Sequence, residues 1–157
     1  MQVDPADRSI EVTLGDLPTI VVDKQQVTSA LTEVIDNALH ATDPTKGHIT
    51  IHAAFDPYSL RVVMTVADNG VGMDEATLKR AFDPFFSSKP AGRRRGMGLA
   101  KALRWVEASG GSIRLDSRPG HGTRVLVLLP STRPSSTPTS TPAPQDVAPP
   151  GAGKRLA

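Results

Sequence analysis

A two-layer α/β sandwich, with a mixed sheet and its helices packed on one face, is the fold class that the sequence predicts for residues 1–130. Three observations predict it. Short runs with strand character alternate along the chain with two long segments of helical spacing. The last two of those runs stand next to each other, separated by a turn alone. Strands and helices are mixed along the chain, which argues for one sheet with helices packed on one face.

The elements follow in order. Ile10-Glu11-Val12-Thr13-Leu14 alternates with period two and reads as a strand. Thr19 to Val22, after Pro18, reads as a second short β-branched strand. From Lys24 to Ala41 the spacing turns helical, with Val27, Leu31, Val34, Ile35 and Ala38 on one apolar face. Asp43-Pro44 and Gly47 end that helix. His48 to Ala53 and Leu60 to Val66 read as strands joined by a turn at Asp56-Pro57. Asp74 is a good N-cap for a short helix reaching Ala81. Phe82 to Arg95 is irregular, and Gly98 to Ser109 is a second long helix stopped by Gly110-Gly111. Ser112 to Leu115 and Thr123 to Leu129 then bracket a hairpin connection, Arg118 to Gly122.

Ser131 to Ala157 is different in kind. It holds six prolines and eight Ser/Thr with almost no large aliphatic residue. Such a segment buries too little surface to offset its ordering entropy, so it is expected to be a disordered tail. The division is therefore 1–130 for the folded domain and 131–157 for the tail.

Composition excludes more than it selects. The 157 residues fit one domain, and 38% hydrophobic content can build a core, with aliphatic packing dominant because aromatics are 4%. Eighteen Lys plus Arg against sixteen Asp plus Glu leave a formal +2, without the concentrated basic face expected of a nucleic-acid binder. With no cysteine, disulfides and thiolate metal sites are out. The longest apolar runs are too short to cross a bilayer, and no signal-peptide stretch opens the chain, so the expectation is a soluble chain without membrane contact.

Chemistry concentrates in four places. On the long first helix, Glu33, Asn37 and His40 fall in a narrow arc roughly opposite the apolar stripe, with Asp36 at its edge. A solvated face would share that spacing, but an amide one turn from a carboxylate is a hard-cation composition: Asn offers a neutral oxygen to Mg²⁺, and Glu33 can orient or deprotonate a water or hydroxyl. Asp68-Asn69-Gly70-Val71-Gly72-Met73 follows a buried strand directly, fixing one carboxylate at a strand end beside glycines that let backbone approach a ligand. Ordinary turn chemistry would also use Asp-Asn-Gly. Phe82 to Lys89 holds three of the chain's four phenylalanines, and Lys89, Arg93, Arg94 and Arg95 lead into Gly96-Met97-Gly98-Leu99 at a helix start. Helix N-terminal N–H groups and added cations favour phosphate there, although a cationic loop is often merely solvated.

Taken in order, these segments resemble the ATP-binding catalytic domain of sensor histidine kinases, in the superfamily shared with gyrase, the heat-shock chaperone ATPase and MutL, over about residues 10 to 130. Glu33 to Ala41 resembles the asparagine box, and Asp68 to Met73 the first glycine box. Phe82 to Lys89 resembles the phenylalanine box of the nucleotide lid, Gly96 to Ala100 the second glycine box, and Gly120-His121-Gly122-Thr123 the closing turn. Two departures stand out: Arg94 lies where many relatives have a further glycine, and Glu33 resembles the water-activating residue of the gyrase branch.

The resemblance implies a Bergerat-type fold, ATP and Mg²⁺ as cofactors, and a histidine kinase activity. Asn37 is implied as the Mg²⁺ ligand and Asp68 as acceptor for the adenine amine. Gly70, Gly72, Gly96, Met97, Gly98, Leu99 and Thr123 are implied as nucleotide contacts, Lys89 and Arg95 as phosphate contacts, and His40 stands where many kinases carry a phosphate-contacting Lys. Glu33 and Lys89 are the implied catalytic residues. None of the four histidines heads a long amphipathic helix. The expected phosphoacceptor is therefore a histidine-bearing dimerisation domain elsewhere, with a response regulator downstream and a cytoplasmic location, whatever membrane anchor a parent protein carries. The alternatives are an ATPase of the gyrase/MutL type and a nucleotide-gated interaction module without catalysis.

Overall fold

The computed structural model describes residues 8–87 and 96–131. Strands β1 (Ser9–Leu14), β2 (His48–Asp56), β3 (Arg61–Asp68), β4 (Ser112–Ser117) and β5 (Thr123–Pro130) form one sheet in the order β1-β2-β3-β5-β4. β1 runs parallel to β2 and every other neighbouring pair is antiparallel, so the sheet is mixed as expected. Helices α1 (Lys24–Ala41), α2 (Glu75–Lys79) and α3 (Gly98–Ala108) complete the described elements.

The core lies between the inward face of the sheet and the pair α1 and α3. Val27, Ala30, Val34 and Ala38 recur at three- and four-residue steps on α1 and bury together with Ala102 and Val106 of α3. Every second residue of the strands faces them, including Ile49, Val66, Ile113, Val125, Val127 and Leu129. Fully burying such a Val, Ile or Leu side chain is worth about 1.5–3 kcal/mol, so this aliphatic seam dominates the stability of the fold. Asp23 caps α1 by accepting the Gln26 N–H at 3.0 Å, and Asp74 caps α2 by accepting the Thr77 N–H at 2.7 Å.

Two expectations change. Thr19 to Val22 joins no strand ladder. It runs from the sheet edge to the cap of α1, and Ile20 and Val22 pack against the core from that connection. Ile20 and Val22 are partly buried without cross-strand pairing while Val21 between them is exposed, and Pro18 just before the segment has no N–H to donate. The strands also run further than hydrophobicity suggests: β3 continues past Val66 to Asp68, β4 past Leu115 to Ser117, and β2 past Ala53 to Asp56. Register rather than hydropathy places the polar ends of β3 and β4. Apart from Ser131, the expected tail lies outside the described residues.

Candidate functional site

The register carries the inward face beyond the apolar core. Val66, Val125 and Leu115 lie side by side on β3, β5 and β4, and two residues further along each strand come Asp68, Thr123 and Ser117. A period of two keeps those three on the same face as the core. A cleft of about 670 Å³ opens there, lined by α1, the segment after β3, the start of α3 and the inward ends of β4 and β5. That volume suits a small-molecule ligand.

From α1 the cleft receives Glu33, Asp36 and Asn37. Glu33 Oε2 would stand 2.6 Å from a Cβ at Gly98, and Asn37 Nδ2 3.7 Å from it. Gly98 therefore lets the first turn of α3 lie against both side chains, and a Cβ there would displace the Glu33 carboxylate while only touching Asn37. Among the described residues Glu33 has no ion-pair partner. A carboxylate beside the positive end of a helix is electrostatically favourable without one. Met97, the N-cap of α3, makes no side-chain cap bond, and Met97, Gly98, Leu99 and Lys101 all line the cleft. His40 is exposed, with Nδ1 at 2.5 Å from the Asp36 carbonyl oxygen, and is not part of the lining.

The segment after β3 is pinned on three sides. The Gly70 N–H donates to Asp68 Oδ1 at 2.8 Å, orienting the carboxylate. The Val71 N–H donates to the Ala41 carbonyl at 3.1 Å, and a Cβ on Gly70 would meet that same oxygen at 2.3 Å. Asn69 reaches the other way, its Oδ1 accepting the His48 N–H at 2.7 Å and its Nδ2 donating to the Lys46 carbonyl at 3.2 Å. Gly72, at φ 66°, passes so close to the β4–β5 turn that a Cβ would lie 1.9 Å from the Arg118 carbonyl oxygen. Gly122, at φ 75°, fits equally tightly against the Asp68 carbonyl oxygen, 1.8 Å from where its Cβ would be. Gly70 itself supports the segment from behind rather than lining the cleft; Asp68, Gly72 and Met73 line it.

Ser117 joins these parts and was not singled out from the sequence. Its Oγ accepts the Met73 N–H at 2.9 Å, donates to the Gly122 carbonyl at 2.8 Å and lies 2.9 Å from Thr123 Oγ1. One signal was available: Ser117 continues the alternation of Ile113 and Leu115, so a polar residue was due to face inward immediately before the turn. Thr77 and Lys101, which line the cleft as Ser117 does not, are surface-type residues of helices and carried no such signal.

Opposite lies the rim formed by Phe85, Phe86 and Ser87 with Gly96. The Phe85 N–H donates to the Gly96 carbonyl at 2.9 Å, and Gly96 takes φ 61° with the Phe86 carbonyl 2.4 Å from where its Cβ would be. Arg80 stacks over the Phe86 ring at 4.2 Å from its centroid, a cation–π contact that anchors one aromatic of the rim. Phe85 is 77% exposed. Lys89 and Arg95, together with Arg93 and Arg94, lie outside the described residues. Among the described residues no three His, Asp or Glu side chains cluster as a metal site, and no helix is long and apolar enough to cross a membrane.

Comparison with known proteins agrees with this geometry. The family model for histidine kinase-, DNA gyrase B-, and HSP90-like ATPases matches residues 22–133. The methanogenesis regulatory histidine kinase FilI of Methanothrix harundinacea is 35% identical over 125 residues, which are 79% of this chain and 14% of FilI. The mycobacterial sensor histidine kinase MprB superposes with a TM-score of 0.70 at 25% identity, covering 79% of this chain and 84% of that one. Full-length ShkA, solved in complex with AMPPNP, gives a TM-score of 0.65 at 28% identity, over 77% of this chain and 25% of that one. The chain thus spans a small part of the curated relatives it matches.

Proposed function

This chain belongs to the histidine kinase-, DNA gyrase B- and HSP90-like ATPase family, as an ATP-binding catalytic domain of the sensor histidine kinase type, and we propose that it transfers the γ-phosphate of ATP to a histidine on a dimerisation domain outside this chain. The observation that carries the proposal is the cleft that gathers Glu33, Asn37, Asp68, Gly72, Gly98 and Thr123 from four separate parts of the chain.

Each residue has a role in this reading. Asp68 accepts the adenine amine, and Gly70 and Gly72 let the backbone of their segment lie close to the base. Gly96, Met97, Gly98 and Leu99 form the phosphate side, where the uncapped start of α3 favours anionic oxygen. Mg²⁺ fits this residue set, because a hard cation shared with phosphates needs few protein oxygens and Asn37 offers its amide in the cleft. When bound, the ion neutralises phosphate charge. Asn37 holds it in place, and Glu33, one turn earlier on the same helix, orients or deprotonates the acceptor. Lys89 and Arg95 keep the phosphate-contact role implied by the family. His40, on the exposed side of α1, serves only a phosphate that reaches over the helix. Phosphoryl transfer is mainly positioning and electrostatic stabilisation, which is what such a cleft supplies. The partners in this reading are the dimerisation domain and a response regulator, and the setting is the cytoplasm. Residues 1–130 are the catalytic unit and 131–157 an appendage to it.

The test is a titration of the chain with Mg²⁺ and ATP by calorimetry, followed by phosphotransfer from radiolabelled ATP to a separately supplied histidine hairpin of a related kinase. Binding and a labelled hairpin are expected. Asn37→Ala is expected to cost Mg²⁺-dependent transfer more than nucleotide binding. ATP binding without labelling of any hairpin would favour a non-catalytic module. Steady hydrolysis that Glu33→Gln abolishes would favour the gyrase type.

A further inference from the structure

We propose that Lys101 is a further phosphate-contacting residue, whose ammonium group meets the terminal phosphate of the nucleotide at the end of the cleft away from Asp68. The inference rests on the nucleotide reading above and adds to it a cation to which that reading gives no role.

The directions of the two long helices place Lys101. α1 reaches the floor with its last residue, where the Ala41 carbonyl accepts the Val71 N–H. Asn37 and Glu33 lie four and eight residues back along it, and each four residues add about 6 Å. α3 begins at Gly98, against those two side chains. From there it leads away from the floor. Just past its end, the would-be Cβ of Gly111 lies 2.5 Å from the Leu128 carbonyl oxygen, and Leu128 pairs with Ser112, at the opposite end of β4 from Ser117. Lys101, one turn into α3, is therefore further from Asp68 than Gly98 is. Side chains on a helix lean toward its N-terminus, so the lysine stem is carried back toward Gly98 and joins the lining of the cleft. A nucleotide whose base sits at Asp68 and whose phosphates pass Asn37 presents its last phosphate there.

Two electrostatic observations give that ammonium an anion to meet. Among the described residues the lining holds three carboxylates, Glu33, Asp36 and Asp68, and Lys101 as its only cation. A polyphosphate entering among those carboxylates is repelled unless positive charge offsets them, and Lys101 supplies some at the end it reaches last. The second observation is that the start of α3 works against the helix itself. Its first turn has no acidic residue, its N-cap makes no side-chain bond, and a lysine stands fourth in the helix. A cation near the positive end of the helix dipole is unfavourable. All three choices weaken an isolated helix, and all three favour an anion bound at that end. Among the described residues Lys101 makes no ion pair, so no carboxylate of the chain takes up its charge. It is exposed, and a point charge on a flexible stem suits a phosphate that faces solvent.

The experiment measures Mg-ATP and Mg-ADP affinities by calorimetry, at one ionic strength, on wild type, Lys101→Met, Lys101→Arg and Arg104→Met. In Lys101→Met the ATP affinity is expected to fall by about tenfold and the ADP affinity by less than about threefold, so the ATP-to-ADP ratio narrows. Lys101→Arg keeps the charge and is expected to keep most of the ratio. Arg104→Met removes an exposed charge one turn further along the same helix and outside the lining, and is expected to leave the ratio as it was. A ratio unchanged in Lys101→Met overturns the inference. So does a ratio narrowed equally by Arg104→Met, because the effect is then one of general charge. Lys101 is exposed, so its variants are expected to melt with the wild type. A wild type that binds neither nucleotide sinks the nucleotide reading itself, whereas binding that Lys101→Met leaves unaltered sinks only the role of Lys101.

Discussion

The two ends of the cleft are built differently. At the end floored by Asp68 and Thr123, with Ser117 bonded to Thr123, backbone from after β3, the end of α1 and the β4–β5 turn interlock so closely that Gly72 and Gly122 have carbonyl oxygens within 2 Å of their would-be Cβ positions. Hydrogen bonds run across every one of those joints. At the rim, Phe85 is bonded through its N–H to Gly96 yet leaves its ring in solvent. What the contrast teaches, on the proposed nucleotide reading, is a division of labour: fixed polar groups at the floor for a base, and apolar cover with the start of a helix at the rim for the rest of the ligand. Preorganised polar groups give selectivity only when their own hydrogen bonds hold them still.

The sharpest way to break this contrast is Asp68→Ala. Nucleotide affinity is expected to fall by about a hundredfold or more while the melting temperature stays near that of wild type. Unchanged ATP affinity in calorimetry would remove the floor from the account. Next is Gly122→Ala, which puts a methyl group against the Asp68 carbonyl in a left-handed backbone conformation. A loss of about 3 kcal/mol or more in denaturant unfolding is expected, with affinity falling alongside.

Gly96→Ala sharpens the comparison from the other end. It too has positive φ and a close carbonyl, that of Phe86. It is expected to weaken ATP by about tenfold with a much smaller stability loss than Gly122→Ala, because the rim shares less of the core. Equal losses from the two glycines would show that both ends are equally integrated. Gly120→Ala is the internal control. It has φ 74° but nothing within 4 Å, so only the left-handed penalty of about 1–2 kcal/mol is expected.

The smallest effect is a pH dependence that neither end of the cleft should share. Asp43, Asp56 and Asp74 are held below the ordinary carboxylate value, chiefly by hydrogen bonds from the Thr45, Ser59 and Thr77 side chains respectively. A depressed folded-state pKa contributes stability above the unfolded value of 3.8, and that contribution is lost as pH falls through the lower folded value. All three are surface groups, so the slope is shallow. The triple Asn variant is expected to melt with a flatter acid limb than wild type, and parallel limbs would rule the three aspartates out as its cause.

Legibility in the sequence varied with locality. The bounds of α1 follow from its three- and four-residue apolar spacing and from the Asp23 cap, both written within one stretch of chain. The Asp74 cap of α2 is equally local. Thr19 to Val22 misled because β-branched composition reports extended backbone and says nothing of whether a neighbouring strand is there to pair with. Asp68 was found through its glycines. Ser117 was not, since its importance lies in three partners, two of which come from across the turn and one from a segment 44 residues away.

By itself the amino-acid order determined all but one of the element types, the single aliphatic core and the succession of motifs, because helix spacing, strand alternation and turn chemistry are properties of neighbouring residues. Only the tertiary structure decided that residues 68, 123 and 117 form one polar row. The physical reason is register. Which residue faces which across β3, β5 and β4 depends on how distant strands align, and a shift of one position would turn all three side chains to the opposite face.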